Sequence, residues 1–447
     1  MSAASDRVPA REVVRLAAPA LPVLAAEPLY LLVDTAVVGR LGAVALAGLA
    51  VAGVVFAQVT SQLNFLSYGT TSRAARLHGA GRHGDAVGEG VQATWLALGV
   101  GVLVLVVGQL VAHPVAQALG DGGAIADAAT SWLRVALCGA PMVLVTLAGN
   151  GWMRGVQDTR RPLRYVLAGN GLSALLCPVL VHGAGGWAGL GVVGSALANV
   201  CGQTVGAMLF LVALVRAARA GAVSLRPAPA VLRAQLTLGR DLLARSLAFQ
   251  ACFLSAAAVA TRFGAATAAA HQIVLQMWFF QALVLDAVAI AAQSLVGAAL
   301  GSPERGAQRA RALAGQVTRY GLVLGVGFGV LFAALSGVLP PVFTPDPAVL
   351  AAVPVAWWFF TAMQPIGGVV FALDGVLLGA GDAAFLRTST LAAAVLGFLP
   401  LTWASLVFDW GLAGIWTGLA AMMVIRLVAV GVRARGDRWI VIGAVRS

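Results

Sequence analysis

Long apolar runs recur from one end of the chain to the other, separated by short segments that hold most of the arginines. A membrane-crossing helix needs about 20 mostly apolar residues. Segmenting on that rule predicts twelve spans, near 13–38, 44–68, 91–112, 128–152, 163–182, 189–214, 240–261, 265–296, 318–338, 353–378, 388–407 and 411–431. The first is too long, too proline-rich and too acidic in its middle for a cleaved signal peptide, since it holds Glu27 and Asp34. The pattern predicts an all-α integral membrane protein with no large soluble domain.

Composition sharpens this reading. Of 447 residues, 60% are hydrophobic and 10% charged, and mean hydropathy is +0.91, too little polar side chain to cover a water-soluble globule. All 29 basic residues are arginine, which excludes a Walker A phosphate loop, a Schiff-base lysine and a pyridoxal enzyme. Cytoplasmic loops retain basic residues. An inside N-terminus puts Arg7, Arg11 and Arg15, Arg73 to Arg82, Arg154 to Arg164, Arg216 to Arg245, Arg305 to Arg319, Arg387 and the cluster from Arg426 inside, leaving only Arg40, Arg134 and Arg262 outside. The net charge of +12 is therefore read as a topology and inner-leaflet signal, and nucleic acid is not expected as a partner. Cys138, Cys177, Cys201 and Cys252 lie in apolar segments without metal-site spacing, so no disulfide framework, metal or cofactor is expected.

The halves repeat at an offset of 220 to 224 residues. Gly79 and Gly84 fall on Gly301 and Gly306, Gly155-x-x-Asp158 on Gly379-x-x-Asp382, Pro178 on Pro400, Gly191-x-x-Gly194 on Gly411-x-x-Gly414, and Asn64 on Asp286. Six helices per half predict two lobes related by a pseudo-twofold axis along the membrane normal. The boundaries are an N-terminal lobe over 1–216, a cytoplasmic linker over 217–239 with a short amphipathic helix near 231–237, and a C-terminal lobe with a basic tail over 240–447. The glycine and aspartate motifs at helix ends read as turns and caps. Two such lobes around a central cavity suggest alternating-access transport, biased by a group whose energy differs between states.

Charged groups at bilayer depth cost upwards of about 3 kcal/mol each and mark functional candidates. Four acids fall inside spans: Glu27, Asp34, Asp286 and Asp374. Glu27 and Asp34 are two helical turns apart with Tyr30 between them, in a helix interrupted by Pro19, Pro22 and Pro28. Asp34 is the preferred ion-coupling residue; Glu27 stands evenly between that role and an interhelical hydrogen bond. Asp286 is expected to pair with Arg245, structurally or as an inner gate with Asp374. Gln58, Gln62 and Asn64 could bind substrate or equally glue helices together. His271 is read as structural.

The motifs Glu27-Pro-Leu-Tyr-Leu-Leu-Val-Asp34-Thr-Ala-Val-Val-Gly39, Gly155-Val-Gln-Asp158-Thr-Arg-Arg-Pro162, Ala270-His-Gln-Ile273 and Leu285-Asp-Ala-Val-Ala-Ile-Ala-Ala-Gln293 resemble the multidrug and toxic compound extrusion (MATE) family, in its DinF-like branch. The resemblance implies export of organic, often cationic, compounds against entering protons or sodium, with coupling at Asp34 and an aromatic at Tyr30. The branch often adds an Asn and an Asp on helix five and a hydroxyl on helix six; here those positions read Ser173, Cys177 and Ser195. Loss of the second carboxylate removes a hard oxygen ligand that sodium favours, so protons are the expected coupling ion, with Glu27 as the replacement acid. A monomer is expected, in a bacterial inner (plasma) membrane, with both termini cytoplasmic. The alternatives are a sodium-coupled exporter and a lipid-linked precursor flippase of the same superfamily, for which Arg245 is the basic side chain. The scattered histidines offer no paired acid–base motif for an intramembrane enzyme.

Overall fold

The computed structural model describes residues 9–120 and 122–444. Arg7 and Arg446, counted above with the cytoplasmic arginines, lie outside the described residues. Among those residues there is no β-strand. The first half comprises α1 (Ala10–Val38), α2 (Ala43–Gln62), α3 (Phe65–Gly79), α4 (His83–Gly120), α5 (Gly123–Cys138), α6 (Ala140–Gly155), α7 (Arg160–His182) and α8 (Val192–Ala220). The second half comprises α9 (Pro229–Arg262), α10 (Ala265–Gly301), α11 (Gly306–Ala334), the short α12 (Leu339–Phe343), α13 (Pro347–Ala362), α14 (Gln364–Gly379), α15 (Ala383–Ala393), α16 (Leu399–Val407) and α17 (Gly411–Arg435). Among the described residues ten helices are long and apolar enough to cross a membrane, and the bent pairs α5–α6 and α13–α14, each taken as one span, bring the number to twelve. Each falls on one of the expected apolar segments.

The chain divides into two compact units, one formed by Ala18–Gly239 and the other by the start of α1 up to Ala17 with the chain from Arg240 onward. The internal repeat shows in how each unit packs its bent span. Both pairs turn by 48°, with Pro141 or Pro365 in the first turn of the second helix, where a missing backbone N–H costs nothing. Each pair then lies against a glycine of the preceding long helix. A Cβ on Gly101 would sit 2.5 Å from the Pro141 Cα, and one on Gly325 would sit 2.9 Å from the Pro365 Cα. Further down, Gly151 and Gly155 press on α3, and Gly375 and Gly379 press on α10 at the same spacing. Small residues let the backbones approach where lipid supplies no hydrophobic drive for helix association.

The repeat is not followed everywhere. α2 and α3 are separated at Leu63–Asn64, beside Thr60 and Ser61, whose hydroxyls donate to the Phe56 and Gln58 carbonyls at 2.9 Å. α10 runs unbroken through Asp286. In the second unit a π-turn over Ala394–Phe398 precedes Pro400, whose ring removes a backbone donor from the ladder.

The segment expected as a linker with a short amphipathic helix near 231–237 is built differently. α8 continues to Ala220 and α9 begins at Pro229, so 231–237 is the first part of a 34-residue helix. Its approach is fastened to α4. Gln92 donates to the Arg226 carbonyl at 2.9 Å and accepts from the Ala228 N–H at 2.7 Å, and Trp95 donates to the Leu225 carbonyl at 2.9 Å. Gln235 donates to the Glu89 carboxylate at 2.8 Å, which also receives Arg73. Glu89 lies two residues before the expected span, whereas α4 begins at His83 and so carries it within the helix.

Candidate functional site

In α1 the residues at every fourth position, Ala26, Tyr30, Asp34 and Val38, are buried, while Leu29, Leu31, Leu32 and Val33 are exposed. The i, i+4 spacing puts the four on one stripe, so the helix carries its aspartate inward with the apolar stripe that packs it. Asp34 is 1% exposed, and the apolar cluster around this face includes Val38, Phe56, Trp132, Leu133, Cys177 and Val181.

Two of the expected coupling residues meet Asp34. The Cys177 thiol on α7 donates to Asp34 Oδ1 at 3.4 Å, and Ser195 on α8 lies against the same carboxylate. Oδ2 is buried without a hydrogen-bond partner, as is the Tyr30 hydroxyl one turn earlier. Ser173 is also fully buried, but its hydroxyl is spent on the Gly169 carbonyl of its own helix at 3.2 Å, in the seam where α7 meets Gly202 of α8. Glu27 is exposed, two turns from the buried Asp34, although its charge interacts with Asp34. Gln58 and Gln62 are half-buried and Asn64 is exposed at the α2–α3 break. No described hydrogen bond joins these three to Asp34.

The second unit pairs its charges differently from the expectation. Arg245 of α9 donates to Asp374 Oδ2 of α14 at 2.5 Å, where Asp286 was expected to be its partner. Arg426 of α17 donates to the same oxygen. Both guanidiniums lie over the Phe249 ring, at 5.6 and 4.8 Å from its centroid. Asp286 is half-buried on α10 and has an interaction of its own. Arg426 had been counted with the cytoplasmic tail; it is buried, nine residues before the end of α17. It falls within the expected span 411–431, although the arginine count groups it with the cytoplasmic tail. The basic side chain on which the flippase alternative rested is thus engaged by an aspartate. His271 is buried with its ring 5.9 Å edge-on from that of Trp416, and both of its ring nitrogens are without a hydrogen-bond partner.

Asp34 and Asp374 are therefore held in opposite electrostatic settings. Asp374 receives two arginines, whereas among the described residues no basic side chain forms an ion pair with Asp34. A buried carboxylate without a counter-charge is costly when ionised, and a proton removes that charge. No cluster of three or more His, Cys, Asp or Glu side chains suited to a metal ion occurs among the described residues.

Comparison with known proteins agrees with this architecture. A family model described as MatE matches residues 19–179 and 242–403. Protein DETOXIFICATION 44, chloroplastic, of Arabidopsis thaliana is 34% identical over 432 residues, covering 94% of this chain and 81% of that protein. DNA damage-inducible protein F of Escherichia coli (strain K12) is 28% identical over 409 residues, 89% of this chain and 86% of that one. A crystal structure described as MATE in the bent conformation superposes with a TM-score of 0.87 at 21% identity, over 96% of each chain.

Proposed function

The chain belongs to the MATE family of multi-pass efflux transporters, which are not enzymes, and we propose that it exports organic, cationic or amphipathic compounds in exchange for protons carried by Asp34. The observation that supports this most is the difference between Asp34 and Asp374: Asp374 is ion-paired with two arginines, while among the described residues no basic side chain pairs with Asp34, which the Cys177 thiol and the Ser195 hydroxyl approach from other helices.

Asp34 takes a proton when its site is open to the outside, which neutralises the carboxylate and weakens its hold on a cationic substrate. Return to the inward-open state releases the proton and restores the charge. A proton falling through ~150 mV yields about 3.5 kcal/mol, enough for one proton per substrate to sustain a roughly 300-fold gradient. Protons are preferred to sodium because hard-cation sites gather several oxygen ligands, and the residue donating to Asp34 from α7 is a thiol. Glu27 is a second acid in electrostatic reach, and Tyr30, Gln58, Gln62 and Asn64 are the groups proposed to meet substrate. The protein acts as a monomer in a plasma membrane with cytoplasmic termini, an orientation supported by its arginine distribution.

The test uses purified protein in liposomes with ethidium as the organic cation. Ethidium transport should follow an imposed pH gradient, ignore an imposed sodium gradient, and vanish in Asp34→Asn. Sodium-driven transport, or pH-driven transport that survives Asp34→Asn, would overturn the proposal. Unchanged proton coupling in Glu27→Gln would remove Glu27 from the site.

A further inference from the structure

Hydroxyls within the first unit's helices are mostly turned back on their own backbone. Thr70, Thr71, Thr94, Thr130, Ser173 and Thr204 each donate to the carbonyl four residues earlier. Ser195 differs. Its oxygen accepts a hydrogen bond from the indole N–H of Trp132, on α5, at 2.8 Å, and the hydroxyl lies against the Asp34 carboxylate. All three residues are almost fully buried, at 2%, 0% and 1% exposure for Trp132, Ser195 and Asp34. A serine hydroxyl has a single hydrogen, and an indole N–H can only donate. With the indole approaching one lone pair, the Ser195 hydrogen is free to turn to the neighbouring carboxylate, whose Oδ2 has no hydrogen-bond partner. The indole is itself held in place by Phe56 of α2, whose ring meets it edge to face at 5.9 Å and 84°.

We infer that Trp132 is a positioning residue for proton exchange at Asp34, acting through Ser195: its indole fixes the hydroxyl so that the ionised carboxylate always finds a donor. The inference rests on the coupling role proposed for Asp34 and adds a residue that does not touch the carboxylate. The other titratable groups around Asp34 are Tyr30 and Glu27 on α1, Cys177 on α7, and His182 at the end of α7, whose ring bonds the Val37 carbonyl at 3.1 Å. α2 has no titratable residue, Asp127 and Arg134 of α5 are exposed, and α8 adds the neutral Asn199 beside Tyr30. A charge-assisted hydrogen bond to the ionised form favours that form, and ordering its donor strengthens the bond.

The experiment measures the pH profile of ethidium transport by the full chain in liposomes. Trp132→Phe keeps the ring and removes the N–H, and should move half-maximal transport to higher pH by about half a unit or more. Ser195→Ala should move it at least as far, and Trp132→Phe should add nothing in the Ser195→Ala background. Trp132→His, which retains a ring donor, should recover part of the wild-type profile. A profile unmoved by Trp132→Phe, or moved equally with and without Ser195, would overturn the inference, because an indole that only fills space would act that way. Should Trp132→Phe fail to fold, Phe56→Leu loosens the indole without removing its N–H; a smaller displacement in the same direction is expected, and none would overturn the inference. Proton-driven transport that survives Asp34→Asn would bring down the coupling role itself; its loss there together with an unmoved Trp132→Phe profile would bring down this inference alone.

Discussion

Replacing Asp374 by Asn tests how the second unit is held together. The substitution preserves shape and one acceptor oxygen but removes the charge on which Arg245 and Arg426 converge. Arg426 is 3% exposed and its Nε already lacks a partner, so it cannot turn to water for compensation. Removing one member of a buried ion pair typically costs about 3–5 kcal/mol, because the remaining charge stays desolvated. At roughly 2–4 °C per kcal/mol for a unit of this size, the melting temperature should fall by about 10 °C or somewhat more. The Phe249 ring softens the loss but, at about 1–2 kcal/mol, does not replace the carboxylate. The assay is thermal unfolding of purified protein in detergent, followed by tryptophan fluorescence. Arg311→Gln is the control: its bridge to Asp437 is exposed, so its loss should cost under about 1 kcal/mol. A melting temperature for Asp374→Asn within about 2 °C of the wild type would mean that the guanidiniums do not depend on this carboxylate.

Two further outcomes follow from packing and from the site. Gly151→Ala and Gly375→Ala would place a Cβ 2.4 and 2.3 Å from backbone oxygens of α3 and α10, and each should lower stability by about 1–3 kcal/mol, visible as lost folded protein on size-exclusion chromatography. Gly53→Ala, whose Cβ meets nothing within 4 Å, should be neutral or slightly stabilising, and equal effects at all three positions would argue against close packing as the cause. Cys177→Asp returns a second carboxylate beside Asp34 and should confer transport driven by a sodium gradient; a variant that folds and shows no sodium response would argue against oxygen-ligand number as the reason protons are used.

The spans were legible because bilayer thickness imposes a length on apolar runs that needs no knowledge of neighbours, and the glycine motifs of the repeat were legible because they are local. What escaped depends on partners far along the chain. Trp132 meets a residue 63 positions away, and nothing in its own segment distinguishes it from a packing tryptophan. Arg426 falls inside the expected span 411–431 yet counts with the basic tail in the arginine distribution; the packing of α9, α14 and α17 draws it onto Asp374. Asp34 stood out, with Glu27, because acids in an apolar helix are rare at any register, whereas the pairing of Arg245 could not be settled between Asp286 and Asp374 by depth along a helix. The continuity of α9 was hidden by Arg, Pro and Gln, residues that read as loop; Gln92 and Trp95 fasten the approach at Leu225 and Arg226, and Glu89 receives Gln235 within the helix.

The central claim, that the Asp34 carboxylate gains and loses the exchanged proton, is tested most directly by infrared difference spectroscopy of the reconstituted protein across a pH titration. A protonated-carboxyl carbonyl band should grow as pH falls and be missing from Asp34→Asn. A band of the same size in Asp34→Asn, or a wild-type protein with no such band at any pH that supports transport, would contradict it.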